Sequence, residues 1–293
     1  MRRVFLVTCA LLLAGCANVP PLAEWKTGTV EHPFGRRGGW AVTEKDVSEA
    51  VSAKVGDCKA VVEQYEPQGD ARASSIPLVF AHGYLRDVAN HRDHARHIAS
   101  WGVPVYLVGH CSGGWSRNVE GIAGGGAGVL AQLMRQVADH AAAPSVVYGG
   151  FSAGGRASRI AALADPRSVG WLGLDPVDGA PKQKQVVGFP MYALFAPPQG
   201  CNAQQVGRAM TLASSSGMSL EVVGSTHCHF EAPSNFLCRA ACTEPGGEER
   251  NAELRNRITL LATAWVRWRA GLDRNPPDAL WREVQGVLSL VSQ

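Results

Sequence analysis

The 293-residue chain is poor in charge: 18% of residues are Asp, Glu, Lys or Arg, against 46% hydrophobic. That balance excludes extensive disorder and suits a compact core. Its net charge of +3 comes without any basic run interleaved with aromatics, which argues against a nucleic-acid partner. No internal repeat or low-complexity array is present. The apolar run over residues 4–13 is too short to span a bilayer stably. The glycine cluster Gly124-Gly125-Gly126 lacks the Lys-Ser/Thr of a phosphate-binding loop, so it reads as a loop before a helix and no cofactor is expected. Cys228, Cys238 and Cys242 could be joined by a histidine around zinc, but they lack the paired C-x-x-C of common structural sites. His91, His94 and His97 share a helix face with no acidic cluster beside them; they read as a polar face, and no metal site is expected.

What is present begins with an export signal. Met1-Arg2-Arg3 precedes a short apolar core that ends in Leu13-Ala14-Gly15-Cys16, a charged start and small-residue end typical of secretory leaders. The last four residues resemble the bacterial lipobox. The resemblance implies cleavage before Cys16, lipid on its thiol and anchoring in a membrane; Ala17, where an aspartate would signal inner-membrane retention, implies the outer membrane. The expected organisation is a signal peptide over 1–15, a tether over 16–40 and a single domain over 41–293. In an oxidising compartment the six cysteines Cys58, Cys111, Cys201, Cys228, Cys238 and Cys242 are compatible with three disulfides, with the connectivity open.

Early strands are expected at 26–31 and 57–65, the second on the edge side of a sheet. From Ile76 apolar runs alternate with helical stretches, as a parallel sheet with helices on both faces requires. Strands are expected at 77–81, 103–108, 145–149, 169–174, 191–196 and 219–223. Helices are expected at 90–100, 123–140, 153–164, 203–214, 248–269 and 278–290. The fold class is therefore α/β.

The most informative stretch is Gly150-Phe151-Ser152-Ala153-Gly154, between an apolar β-branched run and a helical one. A strand feeding a helix through G-x-S-x-G is a nucleophile elbow: the turn strains the serine, and side chains at the flanking glycines would collide with strand or helix. A serine hydroxyl needs a base to take its proton and a carboxylate to orient that base. On such a sheet the acid and then the histidine should follow in chain order. Asp175 ends the next strand, and Asp178 is its competitor. The strand after that, Met191 to Asn202, contains no Asp or Glu, which favours the earlier acid. For the base, His227 lies nearer the last strand's end than His229. Backbone N–H groups of Tyr84, after the first strong strand, and of Ala153, after the serine, are the expected oxyanion donors. Gly83 lets that loop approach the serine, and His82 braces it.

Together, Ala81-His82-Gly83-Tyr84, the elbow and Gly173-Leu174-Asp175-Pro176-Val177-Asp178-Gly179 resemble the α/β-hydrolase superfamily over residues 76–269. More narrowly they resemble its plant chlorophyllase and bacterial polyester-hydrolase-like branch, and Gly-Leu-Asp-Pro is also similar to the pancreatic-type lipases. The resemblance implies an α/β-hydrolase fold with a minimal cap and cofactor-free hydrolysis of a small-molecule or polymeric carboxylic ester through an acyl-enzyme. The chain departs from that branch at Phe151, where many members carry histidine, and at His227-Cys228-His229. Only about a dozen residues, 179–190, separate acid and next strand, so an open site is expected. Peptidase or acyltransferase chemistry on the same residues, or a non-catalytic envelope-binding lipoprotein, are the alternatives.

Overall fold

A computed structural model describes residues 23–24, 33–69, 73–109, 126–178, 187–211, 214, 216–234, 238–239, 242 and 247–277. The signal peptide, Cys16, the strand expected at 26–31, Cys111, Gly124, Gly125 and the helix expected at 278–290 lie outside the described residues. So do most of the residues between Asp178 and the following strand.

Eleven strands are described: β1 Ala23–Glu24, β2 Ala41–Asp46, β3 Lys54–Val55, β4 Cys58–Lys59, β5 Val61–Gln68, β6 Leu78–Ala81, β7 Val105–Gly109, β8 Val146–Phe151, β9 Ser168–Leu174, β10 Met191–Phe195 and β11 Gly217–Glu221. The helices are α1 Ser48–Val51, α2 Arg92–Ser100, α3 Gly126–His140, α4 Ala153–Ala164, α5 Arg208–Thr211 and α6 Glu248–Arg269. Nine strands form one sheet in the order β1-β11-β10-β9-β8-β6-β7-β5-β2, and β3 pairs with β4 separately. Pairings from β1 to β7 are parallel; β5 runs antiparallel to β7 and to β2.

The central strands are apolar along their whole length because both sheet faces are covered. Successive side chains alternate between two cores. Leu78 and Phe80 join the cluster that includes α2 and α6 residues such as Ile98, Leu261 and Trp265. Val79 and Ala81 join the opposite cluster, with Leu130 and Val137 of α3 and Ala157 and Ala161 of α4.

Two expectations need correction. The helix expected at 203–214 is a 3-10 turn, Gly200–Gln205, followed by the four-residue α5; Ala203 and Gln204 have positive φ, of 48° and 58°, incompatible with a right-handed helix. The strand expected on the edge side is interior, since β2 pairs outside β5 over six residues. β2 reads as polar, Ala-Val-Thr-Glu-Lys-Asp, and its residues are exposed or half-buried, so its backbone ladder rather than an apolar face holds it. Within the stretch expected as a tether, two segments are described. β1 adds to the sheet edge beside β11, and Pro33–Gly35 forms a 3-10 turn whose Phe34 ring meets Trp101 edge-on at 4.7 Å.

Candidate active site

The expected site residues come from the carboxyl ends of parallel strands, where open α/β sheets place ligands. Ser152 follows β8, Asp175 follows β9, His227 follows β11, and Gly83 lies just after β6. β8 is entirely buried and delivers Ser152 at φ 52°, ψ −124°, a left-handed conformation that costs about 1–3 kcal/mol for a residue with a side chain. The surroundings impose it. A Cβ at Gly150 would stand 2.2 Å from the Gly154 carbonyl oxygen, and one at Gly154 would stand 2.3 Å from that of His82. Only glycine lets β8, α4 and the β6 loop meet this closely. Ser152 occupies the N-cap position of α4 without a capping hydrogen bond from its side chain, which leaves the hydroxyl available at the positive end of the helix.

Ser152 Oγ lies 3.0 Å from His227 Nε2, and His227 Nδ1 lies 2.6 Å from Asp175 Oδ2. The wholly buried Asp175 is acceptor-only when ionised, so Nδ1 carries the proton and donates it, leaving Nε2 to accept from the serine. Asp175 itself has φ 40°. Its backbone N–H donates to the Leu194 carbonyl at 2.7 Å, and its Oδ1 accepts from the Ala196 N–H at 3.1 Å and from Asn202 Nδ2 at 3.3 Å. The Phe151 ring packs on the imidazole with centroids 4.5 Å apart. Phe151 thus backs the imidazole.

The other two candidates take different partners. Asp178 pairs with Arg156 at 3.1 Å and makes no described contact with His227. His229 is completely buried; its Nδ1 accepts the Thr226 N–H at 2.8 Å and its Nε2 donates to Asn251 Oδ1 at 3.0 Å. That closes the 3-10 turn His227–Phe230 and ties it to α6.

The β6 loop presses on the serine: a Cβ at Gly83 would lie 2.8 Å from that of Ser152. His82 Nδ1 donates to the Gly83 carbonyl at 2.8 Å, and burial lowers its proton affinity, so the ring is neutral. Tyr84 follows with its side chain exposed. Ser152 and His227 retain only 8% and 6% of their surface. The expectation of an open site therefore does not extend to these two residues, which the Gly83 turn and Phe151 hem in.

Asn202 was not legible as a site residue. It is completely buried and its amide supports the Asp175 carboxylate, while its Oδ1 accepts the N–H groups of Gln199 at 3.0 Å and Gln205 at 3.2 Å.

Two disulfides flank the site, Cys228–Cys238 beside His227 and Cys201–Cys242 beside Asn202. Cys58 is disulfide-bonded as well. The three cysteines weighed as zinc ligands therefore have their sulfurs in covalent bridges. His91, His94 and His97, expected as a polar helix face, are 0%, 4% and 8% exposed, so that face is turned inward. The start of α2 packs into the core, where burial drives all three below ordinary histidine behaviour, His94 to about 3. Compared with known proteins, the chain matches no family model and no curated protein.

Proposed function

We propose that this chain is a serine carboxylic ester hydrolase of the α/β-hydrolase fold, esterase- or lipase-like, acting through an acyl-enzyme on Ser152. One observation carries the reading: the continuous Asp175–His227–Ser152 hydrogen-bonded line, on a strained strand-to-helix turn at the carboxyl edge of a parallel sheet. A structural role would require neither the strain at Ser152 nor a hydroxyl aimed at an unprotonated imidazole nitrogen.

In the proposed reaction, Ser152 Oγ adds to the ester carbonyl carbon as its proton passes to His227 Nε2. Asp175 holds the ring through Nδ1–H and stabilises the imidazolium. The carbonyl π electrons move onto oxygen, where the N–H groups of Ala153 and Tyr84 receive the charge. Collapse re-forms the carbonyl and breaks the bond to the leaving alkoxide, which takes the proton from Nε2. Water then attacks the acyl carbon, its proton going to His227. Ser152 leaves with the imidazolium proton, releasing the carboxylic acid.

The two disulfides agree with an oxidising compartment. The same proposal places the chain outside the cytoplasm, anchored through Cys16 in the outer membrane. Among the described residues no helix is long and apolar enough to cross a membrane.

Hydrolysis of p-nitrophenyl butyrate by this chain, beside Ser152→Ala, tests the activity. Loss by several orders of magnitude on substitution is expected. Equal inactivity of the two folded proteins would overturn the reading, and cleavage of p-nitroanilides in place of esters would make the chain a peptidase.

A further inference from the structure

Arg86 and Glu231 form an ion pair with side chains only 10% and 0% exposed. Each belongs to a loop of the candidate active site. Arg86 lies two residues after Tyr84; its backbone N–H donates to the Gly83 carbonyl at 3.3 Å and its Nη1 to the Leu85 carbonyl at 3.1 Å, so the guanidinium is folded onto its own turn. Leu85 within that turn has φ 54°, a conformation that persists only where neighbours over-determine it. Glu231 lies four residues after His227, at the end of the 3-10 turn, and its N–H donates to the Cys228 carbonyl at 3.2 Å.

These loops leave β6 and β11, and β8, β9 and β10 stand between those strands in the sheet. Among the described residues no ladder hydrogen bonds link β6 to β11, so the sheet alone does not set the Gly83-Tyr84 turn against the imidazole. The loop after His227 is held down by other bonds: Ala232 N–H donates to the Asn90 carbonyl at 2.8 Å, and Asp93 N–H to the Ala232 carbonyl at 2.9 Å. The ion pair is therefore not needed to keep this loop on the protein. A buried ion pair is also weak support for stability, because desolvation offsets the attraction; its directional hydrogen bonds specify a relative placement.

We infer that Arg86 and Glu231 are positioning residues that clamp the oxyanion-donating turn at Tyr84 to the loop carrying His227. The inference rests on the ester-hydrolase reading. Neither side chain touches the reacting atoms; the pair acts by keeping donor and base in one geometry as charge develops. A misplacement of about 1 Å at such a site costs on the order of 100-fold in rate.

The test is steady-state hydrolysis of p-nitrophenyl butyrate by the whole chain as wild type, Glu231→Gln, Arg86→Lys and the double variant Arg86→Met/Glu231→Met. Affinity for a phenylboronic acid, whose tetrahedral adduct on a serine carries the oxyanion, is measured alongside. The double variant removes both charges and keeps apolar bulk, a change that often leaves folding intact. It is expected to melt within a few degrees of the wild type, to lose about 10- to 100-fold in kcat with little change in KM, and to bind the boronate more weakly by a similar factor. Glu231→Gln should show the same split, and Arg86→Lys should recover part of the loss. A folded double variant with wild-type kcat and boronate affinity would overturn the clamp alone. An inactive wild type would overturn the hydrolase reading and the clamp with it.

Discussion

Asp175 and Asp178 stand three residues apart and both are buried, yet their surroundings assign them different work. Asp175 accepts three hydrogen bonds, from His227, Ala196 and Asn202. Asp178 meets the half-exposed Arg156. Asp175→Asn is expected to lower kcat roughly ten-thousandfold, because an amide can hold the wrong imidazole tautomer. Asp178→Asn should leave kcat nearly unchanged and show its effect in stability, since the buried carboxylate faces Arg156 and the buried Arg159 and not the imidazole. Esterase assays on the two variants check both, and comparable losses would contradict the assignment. Asn202→Ala leaves Asp175 Oδ1 one donor short in a buried site. Oδ1 keeps the Ala196 N–H, and a lost hydrogen bond to a charged group is worth about 1.5–3 kcal/mol, so kcat should fall about 10- to 100-fold with KM little changed.

At the scale of elements, the elbow and the disulfide-bearing turns do the positioning. Gly154→Ala would drive a methyl into the backbone of the β6 loop, with 2.3 Å to the His82 carbonyl oxygen and 2.4 Å to that of Ala81. No side-chain rearrangement relieves a backbone clash, so this variant should melt well below the wild type or fail to fold, as thermal denaturation would show. The two bridges converge through one turn, in which the Cys242 N–H donates to the Cys238 carbonyl at 2.8 Å. The turn that carries Asn202 and the loop that carries His227 are thereby joined covalently. Replacing Cys228 and Cys238 together by alanine should cost about 2–4 kcal/mol of stability and reduce kcat even at temperatures where the protein remains folded. Activity and melting measured on the same preparation separate the two effects.

The helix expected at 203–214 failed for a reason rooted in this cross-linked region. The residues have helical propensity, but Asn202 draws the Gln199 and Gln205 N–H groups to its own side chain and Cys201 is tied to Cys242. Local hydrogen bonding from an asparagine competes with the helix ladder, and Ala203, Gln204 and Gln205 adopt positive φ. A propensity reading has no access to that competition. β2 was missed for the opposite reason, because an edge strand held by ladder bonds shows no apolar alternation.

Across the whole molecule, four buried imidazoles make stability depend on pH. His82, His91, His94 and His97 all have lowered proton affinity, chiefly from burial. The unfolded chain therefore binds more protons than the folded one once the pH falls below the ordinary histidine value of 6.5. Stability is full above that value and falls as the pH drops through it; for His94 the loss continues down to about 3. Denaturant midpoints measured from pH 8 to pH 4.5 should be flat at the top of the range and decline below about pH 6.5, by up to about 1.4 kcal/mol per pH unit for each such histidine. Among the described residues, neither ring nitrogen of His94 has a hydrogen-bond partner. His94→Leu should therefore be tolerated at pH 8 and flatten the decline, and an unchanged slope would show that this imidazole is not part of it.

The amino-acid sequence by itself determined the α/β class, the run of central strands, and the turn that carries Ser152. Each depends on local properties: apolar runs of strand length, helical stretches between them, and glycines that alone tolerate the approach of strand to helix. It also brought the site down to two aspartates and two histidines in the right chain order. Only the tertiary structure decided which histidine meets the serine and which aspartate meets that histidine. Asp175 lies 23 and His227 75 residues beyond Ser152, and no local rule says which carboxylate or imidazole a sheet and its loops will turn toward a given atom. The same holds for Asn202, for the buried face of α2 and for the Arg86–Glu231 pair, whose members are 145 residues apart. Their roles arise from partners brought close by packing, and spacing along the chain carries no record of them.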